Sequence, residues 1–361
     1  MPFARAQELS SDEQVIFLPG TARMLEDGKL EARIDAWVFE RQIRPGLSRL
    51  LARYLDLDLD GISNSERERF YQRTQLFRVD SQNSMSLRIE IDPEQTFALP
   101  ITTNGGRSRT KLTVSAKVPE NLPSWLEYQV ILPGADDRRL LGRTLIVPRF
   151  GLSVVSDIDD TIKYSNVLKK KLLLLNTFAR EFVATPCMAQ RYQQIAQTAQ
   201  APAFHYLSSS PIQLYPPIAE FLSRSGFPDG SVHLRESTAI GSVIPDHDDS
   251  RTHKLAVLHT LLADFPDRQF MLIGDSGELD PEIYGEVARE FSRRIVAIRI
   301  RDVTGDPRES ERYRQAFAKL PDELWTLFSD APRWQPVAPA AGQEHTVSVP
   351  LPVPDPGCLA P

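Results

Sequence analysis

Leu152-Ser153-Val154-Val155-Ser156 runs directly into Asp157-Ile158-Asp159-Asp160-Thr161. The first five residues read as a short buried strand, and three carboxylates crowd against its end. Acid groups gathered at the rim of a sheet repel one another and are costly to desolvate. A cation must share the place, and a hard, oxygen-seeking one such as Mg²⁺ suits them. Taken alone, the same residues could be a solvated strand end.

Working outward, further apolar strands are expected at 203–207, 231–235, 269–273 and 294–300, alongside 152–156. Helical faces fall between them. One is Leu214, Ile218, Phe221 and Leu222, a second is Leu255, Leu258, Leu262 and Phe265, and a third runs from Ile283 to Phe291. Strands alternating with amphipathic helices predict an α/β fold with a parallel sheet covered on both faces. In such sheets the site lies at the carboxyl ends of the strands.

Upstream the period changes to two. Leu30, Ala32, Ile34, Ala36 and Val38 alternate with polar or aromatic residues, as do the sets starting at Met85, Leu112 and Leu126. Asp27-Gly28, Gly105-Gly106 and Pro133-Gly134 mark turns between them. Residues 46–55 and 64–76 read as helical. The expected layout is an N-terminal extension (1–12) and a β-sandwich-like domain with a helical insertion (13–148). An α/β catalytic domain (149–330) and a disordered Pro-rich tail (331–361) follow.

Bulk properties narrow the function. At 361 residues, with 41% hydrophobic and 25% charged residues, two domains and normal cores are expected. A net charge of −6 speaks against nucleic-acid binding driven by bulk electrostatics and against permanent adhesion to an anionic membrane. MPFARAQELSSDEQ lacks the apolar core of a signal peptide, and no apolar run reaches the ~18 residues of a membrane span. Cys187 and Cys358 read as two lone thiols in a reducing compartment. A cytoplasmic protein, soluble or peripheral to a membrane, is the expectation.

The acid-tipped strand resembles the first motif of the haloacid dehalogenase (HAD) superfamily, DxDx(T/V). The resemblance implies a HAD-like Rossmannoid sheet, with Asp157 as nucleophile, Asp159 as general acid and then base, and Thr161 fixing the loop. Three further pieces fall in the order this family requires. Phe204-His205-Tyr206-Leu207 leads to Ser208, which would bind the transferring phosphoryl group. Lys254 opens the next-but-one helix and would offset phosphate charge and orient Asp157. Gly274-Asp275 through Asp280 is a GDxxxxD version of the fourth motif, with Asp275 as magnesium ligand. On this resemblance the metal set is drawn from Asp157, Asp159, Asp275 and Asp280.

The wording is narrower still. SDIDDTIK (156–163), FHYLSSSPIQLYP (204–216), FPDGS (227–231), LIGDSGELDPEIYGEV (272–287) and IRIRDV (298–303) are similar to the phosphatidate phosphatase family of the actin-patch protein type, related to the lipins. That resemblance implies hydrolysis of phosphatidate to diacylglycerol and phosphate. Motif and fold fix the chemistry better than the leaving group, so a soluble, nucleic-acid or protein phosphomonoester is the alternative substrate class. An adaptor with vestigial catalysis is a third reading.

Several residues carry competing readings. Asp160 either tunes the site or faces solvent. Ser210 before Pro211 looks like a helix cap, which leaves Ser208 to the phosphoryl group. Lys254 by itself would be a surface lysine. Asp280 before Pro281 suits a helix cap as well as a metal site. Asp56 to Gly61 imitates a calcium loop but lacks the closing glutamate, and Asp246 to Asp249 reads as a solvated acidic turn. Lys169-Lys170-Lys171 before Leu172 to Leu175 is a candidate membrane-contact edge, against the plainer reading of a helix with a buried leucine face.

Overall fold

The computed structural model describes residues 7–41, 52–53, 57–77, 79–92, 94–116, 123–134, 136–236 and 247–329. The N-terminal half carries β1 (Gln7–Glu8), β2 (Glu13–Leu18), β3 (Gly20–Met24), β4 (Leu30–Arg41), β5 (Val79–Ser81) and β6 (Met85–Ser86). It continues with β7 (Arg88–Asp92), β8 (Gln95–Ala98), β9 (Arg107–Val114), β10 (Ser124–Val130) and β11 (Leu141–Val147). Helix α1 (Asn64–Gln75) lies between β4 and β5. Strand β4 organises this half. Its Ala32, Ile34, Ala36 and Val38 are buried, and its length lets it pair antiparallel with β2 and β3 along one edge and with β9 and β5 along the other. From β3 the sheet continues through β11, β10 and β7 to β8.

Several boundaries differ from the period-two reading. The set from Met85 splits at Leu87 into β6 and β7. Strand β9 runs earlier than expected and ends at Val114, because its partner β4 begins at Leu30 opposite it. Within the expected N-terminal extension, β1 pairs with β6. The expected helix at 46–55 falls largely outside the described residues, as do the tail at 331–361 and Asp56 of the calcium-loop imitation.

The helical insertion packs away from the strands that flank it in sequence. Ser63 and Glu66 form a reciprocal capping box at the start of α1. Phe70 of α1 then joins Leu57 and Phe77 in a core shared with Leu152, Phe178 and Phe182 of the other half. Arg73 donates to the carbonyls of Thr177 and Arg180 at 2.8 and 2.7 Å, and its guanidinium lies 3.9 Å from the centre of the Phe182 ring. Insertion in sequence is thus integration in space.

The second half alternates β12 (Leu152–Asp157), α2 (Lys170–Phe178), α3 (Met188–Thr198), β13 (Ala203–Pro211), α4 (Tyr215–Arg224), β14 (Gly230–Arg235) and α5 (His247–Asp264). It then continues through β15 (Gln269–Asp275), α6 (Asp280–Glu290), β16 (Ile295–Arg301), α7 (Glu311–Ala316) and β17 (Trp325–Phe328). The sheet is parallel throughout, in the order β14-β13-β12-β15-β16-β17. Both faces are covered: Val154 enters one apolar cluster and the next residue, Val155, enters the other. The strand order reverses between β12 and β15, which opens a crevice at their carboxyl ends. The expected parallel α/β sheet is present. Strand β17 was not expected, since four residues after a polar stretch give little periodic signal. Among the described residues α5 starts at His247, so Asp248 and Asp249 are helical rather than part of a loop, while Asp246 lies outside the described residues. Acidic residues there suit the positive end of the helix.

Besides α1, polar contacts join the halves. Asp264 at the end of α5 accepts from Arg33 of β4 at 2.9 Å and from Lys111 of β9 at 3.0 Å. Buried Arg268 donates to the carbonyls of Pro148, Phe150 and Ala201 at 2.8, 2.6 and 2.8 Å, tying the connection between the halves to the start of the parallel sheet. No helix among the described residues is long and apolar enough to cross a membrane. Cys187 is not a free thiol, and Cys358 lies outside the described residues.

Candidate active site

Strands β12 and β15 end side by side in Asp157 and Asp275, both fully buried. Asp280, the first residue of α6, completes the group, with carboxylate oxygens of all three within 4.8 Å of one another. The approach of Asp280 requires Gly274, because a Cβ there would fall on the Asp280 carboxylate. Asp280 accepts from the Asp275 backbone N–H at 3.2 Å. It makes no side-chain cap for its helix, so the capping reading is overturned.

Lys254 lies two turns into α5 with no exposed surface. Its ammonium donates to Asp157 at 2.9 Å, Glu278 at 3.0 Å and Asp280 at 2.5 Å. It is not a surface lysine. Burial opposes its charge, but Asp157, Asp280 and Glu278 outweigh that and hold its pKa well above the usual lysine range. Burial in turn pushes the Asp157 carboxyl well up, with Lys254 pulling it back and Asp280 and Glu278 adding to the rise. Asp275 is also driven well up, by burial and then by Asp280 and Asp157. One oxygen of Asp275 accepts from the Gly277 N–H at 2.6 Å, while the other is buried with no hydrogen-bond partner. A buried, orphaned carboxylate oxygen beside two further carboxylates is the donor set a hard divalent cation takes. The residues fit such an ion.

Asp159 faces a different group. One of its oxygens accepts from Lys163 and Ser165, each at 2.7 Å. The other accepts from Ser208 and Ser210, each at 3.0 Å. Burial opposes ionisation, but Lys163, Ser165 and Ser210 bring its pKa down to about 2. Its carboxylate therefore stands outside the acid cluster of Asp157, Asp275 and Asp280. Ser208, expected at the phosphoryl group, lies three residues before the end of β13 and donates to Asp159. Ser210 does not cap a helix, since Pro211 occupies that position and the Ser210 hydroxyl turns to Asp159.

The loop after β12 is held by Asp160, which is buried with φ of 53°. Its carboxylate accepts from the backbone N–H groups of Ser165, Asn166 and Val167 at 2.8, 2.9 and 2.6 Å. Asp160 thus latches the loop and does not face solvent. Thr161 donates to Asp157 at 2.9 Å, fixing the second oxygen of the proposed nucleophile. Lys163, Ser165 and Glu278 were missed as site residues, and Ser210 was set aside as a helix cap. Lys163 and Glu278 lie inside the quoted motifs, and the signal that could have found Lys163 is its position four residues after Asp159. A pocket of about 230 Å³ opens beside the site, bounded by Asp159, Ser210 and Glu278 and by the apolar wall of Val167, Leu173 and Leu214. A larger cleft of about 740 Å³ between β9 and α5 lacks the acid cluster.

Buried carboxylates and a lysine thus meet at the switch point of a doubly wound sheet. Residues 152–302 match the family model described as phosphatidate phosphatase APP1, catalytic domain. An uncharacterized protein of Schizosaccharomyces pombe is 32% identical over 167 residues, covering 45% of this chain and 27% of that protein. Phosphatidate phosphatase APP1 of Saccharomyces cerevisiae is 32% identical over 162 residues, covering 43% of this chain and 26% of its own length. The matched stretch thus spans about a quarter of each of these relatives.

Proposed function

We propose that the chain is a divalent-metal-dependent phosphatase of the HAD type that hydrolyses phosphatidate to diacylglycerol and phosphate. The observation that carries this reading is the buried Asp157–Lys254 pair, 2.9 Å apart, beside Asp275 and Asp280 at the switch point of the sheet. A carboxylate oxygen of Asp157 attacks phosphorus, the bond to the glycerol oxygen breaks, and an aspartyl-phosphate forms. The leaving oxygen needs a proton, and the hydrogen-bonded pair Lys163 and Asp159 is arranged to pass one to it. Asp159, ionised again, then takes a proton from the water that attacks the aspartyl-phosphate and returns it to Lys163, which restores the pair. Phosphate leaves and Asp157 is restored. Held by Asp157, Asp275 and Asp280, a cation such as Mg²⁺ would offset the charge of the phosphoryl oxygens.

The apolar wall of the pocket supports a lipid leaving group. Next to it, Leu168 is 56% exposed and adjoins the exposed lysines 169–171, a cationic and apolar edge suited to the surface of an anionic bilayer. Turnover of phosphatidate in mixed micelles, compared with a panel of soluble phosphomonoesters with and without Mg²⁺, tests the reading. Phosphatidate as the preferred substrate is the expected outcome. A soluble ester turned over at least tenfold faster overturns the substrate, and no phosphate release from any ester overturns the function.

A further inference from the structure

An ammonium group has three N–H donors, and Lys254 spends all of them, on Asp157, Glu278 and Asp280. It cannot also donate to a phosphoryl oxygen unless one acceptor withdraws. The three acceptors are not equivalent. The side chains of Asp157 and Asp280 are 1% and 0% exposed and belong to the acid cluster. The Glu278 side chain is 24% exposed and borders the pocket. Its backbone is pinned on both sides: the carbonyl accepts from Arg312 at 2.5 Å, and the N–H donates to Asp275 at 3.3 Å. The side chain can therefore turn outward while the loop stays in place.

We propose that Glu278 is a placeholder for the substrate's phosphoryl group. Its carboxylate satisfies the third donor of Lys254 when the pocket holds no anion, yields that donor to an arriving phosphoryl oxygen, and reclaims it as free phosphate departs. This makes Glu278 a positioning residue that competes with product and so favours its release. The proposal rests on the phosphatase reading of the site.

The test is the binding of inorganic phosphate to the full chain with Mg²⁺, measured by calorimetry for the wild type, Glu278→Gln and Glu278→Ala. The isosteric Gln variant guards against a loss of folding, which thermal unfolding checks. Removing the competing carboxylate should tighten phosphate binding by about tenfold in the Ala variant, the scale of one charge-assisted hydrogen bond. The Gln variant should tighten it by less, and KM for a small soluble phosphomonoester should fall in parallel. If Glu278 merely props Lys254, the sign reverses and phosphate binds more weakly. Unchanged or weaker binding in both variants overturns the proposal. Failure of the phosphatase reading shows separately, as absence of turnover in the wild type, while calorimetry still decides the role of Glu278.

Discussion

Asp157 and Asp275 end neighbouring strands and are both fully buried, yet they have different partners. Asp157 has both oxygens engaged, by Lys254 and Thr161, and is held in one orientation. Asp157→Asn should keep the fold and lower turnover at least a thousandfold, roughly 4 kcal/mol of barrier, because an amide cannot form the acyl-phosphate. Phosphate release and the unfolding temperature check both halves of that statement, and activity within tenfold of wild type would remove Asp157 as nucleophile. Asp275 instead has one oxygen with no protein partner. Asp275→Ala should raise the Mg²⁺ midpoint for activity by about tenfold or more, ~1.4 kcal/mol, and erase the Mg²⁺-dependent rise in unfolding temperature. An unchanged metal titration would rule the ligand assignment out. Asp157 and Asp275 were legible in the sequence because each ends an apolar strand, whereas Lys254 was found by its place in the motif order, although it lies two turns into α5 and does not open the helix. Asp159 was legible as a site residue, but its surroundings were not. Four donors reach it from two segments, and a linear motif does not show which way a carboxylate turns.

Helix α2 shows what one element can combine. Leu174 is buried in the core, and it lines the pocket together with Leu173. The lysines at 169–171 stay exposed beside Leu168. The plainer reading, a helix with a buried leucine face, and the membrane-edge reading apply to different sides of the same segment. Near an anionic surface each lysine contributes on the order of 1 kcal/mol, falling off within a Debye length. Replacing Lys169, Lys170 and Lys171 by Gln should weaken liposome sedimentation and slow phosphatidate turnover severalfold, while sparing a small soluble phosphomonoester. Equal loss on both substrates would point to a damaged site, and no change in sedimentation would dismiss the membrane edge. At this scale the strands of the parallel sheet were readable because burial on both faces makes them continuous apolar runs. The ends of β9 and the start of α5 were not, since partner strands and helix-end charge set them.

Across the whole molecule, α5 is the shared member. It carries Lys254 into the site, and its last residue, Asp264, accepts from Arg33 and Lys111 of the β-rich half. Burial alone would raise the Asp264 carboxyl, but hydrogen bonds and charge from Arg33 and Lys111 outweigh it and hold its pKa below the ordinary 3.8. A group depressed on folding stabilises the fold above its unfolded pKa, and that contribution is lost as the pH falls through the folded value. Asp264→Asn should therefore lower the unfolding temperature at neutral pH, and the gap to wild type should close below about pH 4. Denaturation followed from pH 7 downward checks this; a gap that stays constant into the acid range would mean that charge on Asp264 does not join the halves.

The excursion of α1 into the core around Phe178 has a consequence for anyone who would divide the protein. Residues 148 and 149 look like a natural place to cut, since period-two strands stop there and the parallel sheet begins. A polypeptide started at 149 would leave Leu57, Phe70 and Phe77 of this core behind, lay bare the Phe178 ring against which Phe70 and Phe77 pack, and take Arg73 away from the Phe182 ring. It would also remove the Pro148 carbonyl, one of the acceptors of Arg268. The parallel-sheet half is not self-contained, because one of its walls is encoded upstream, between two strands of its neighbour.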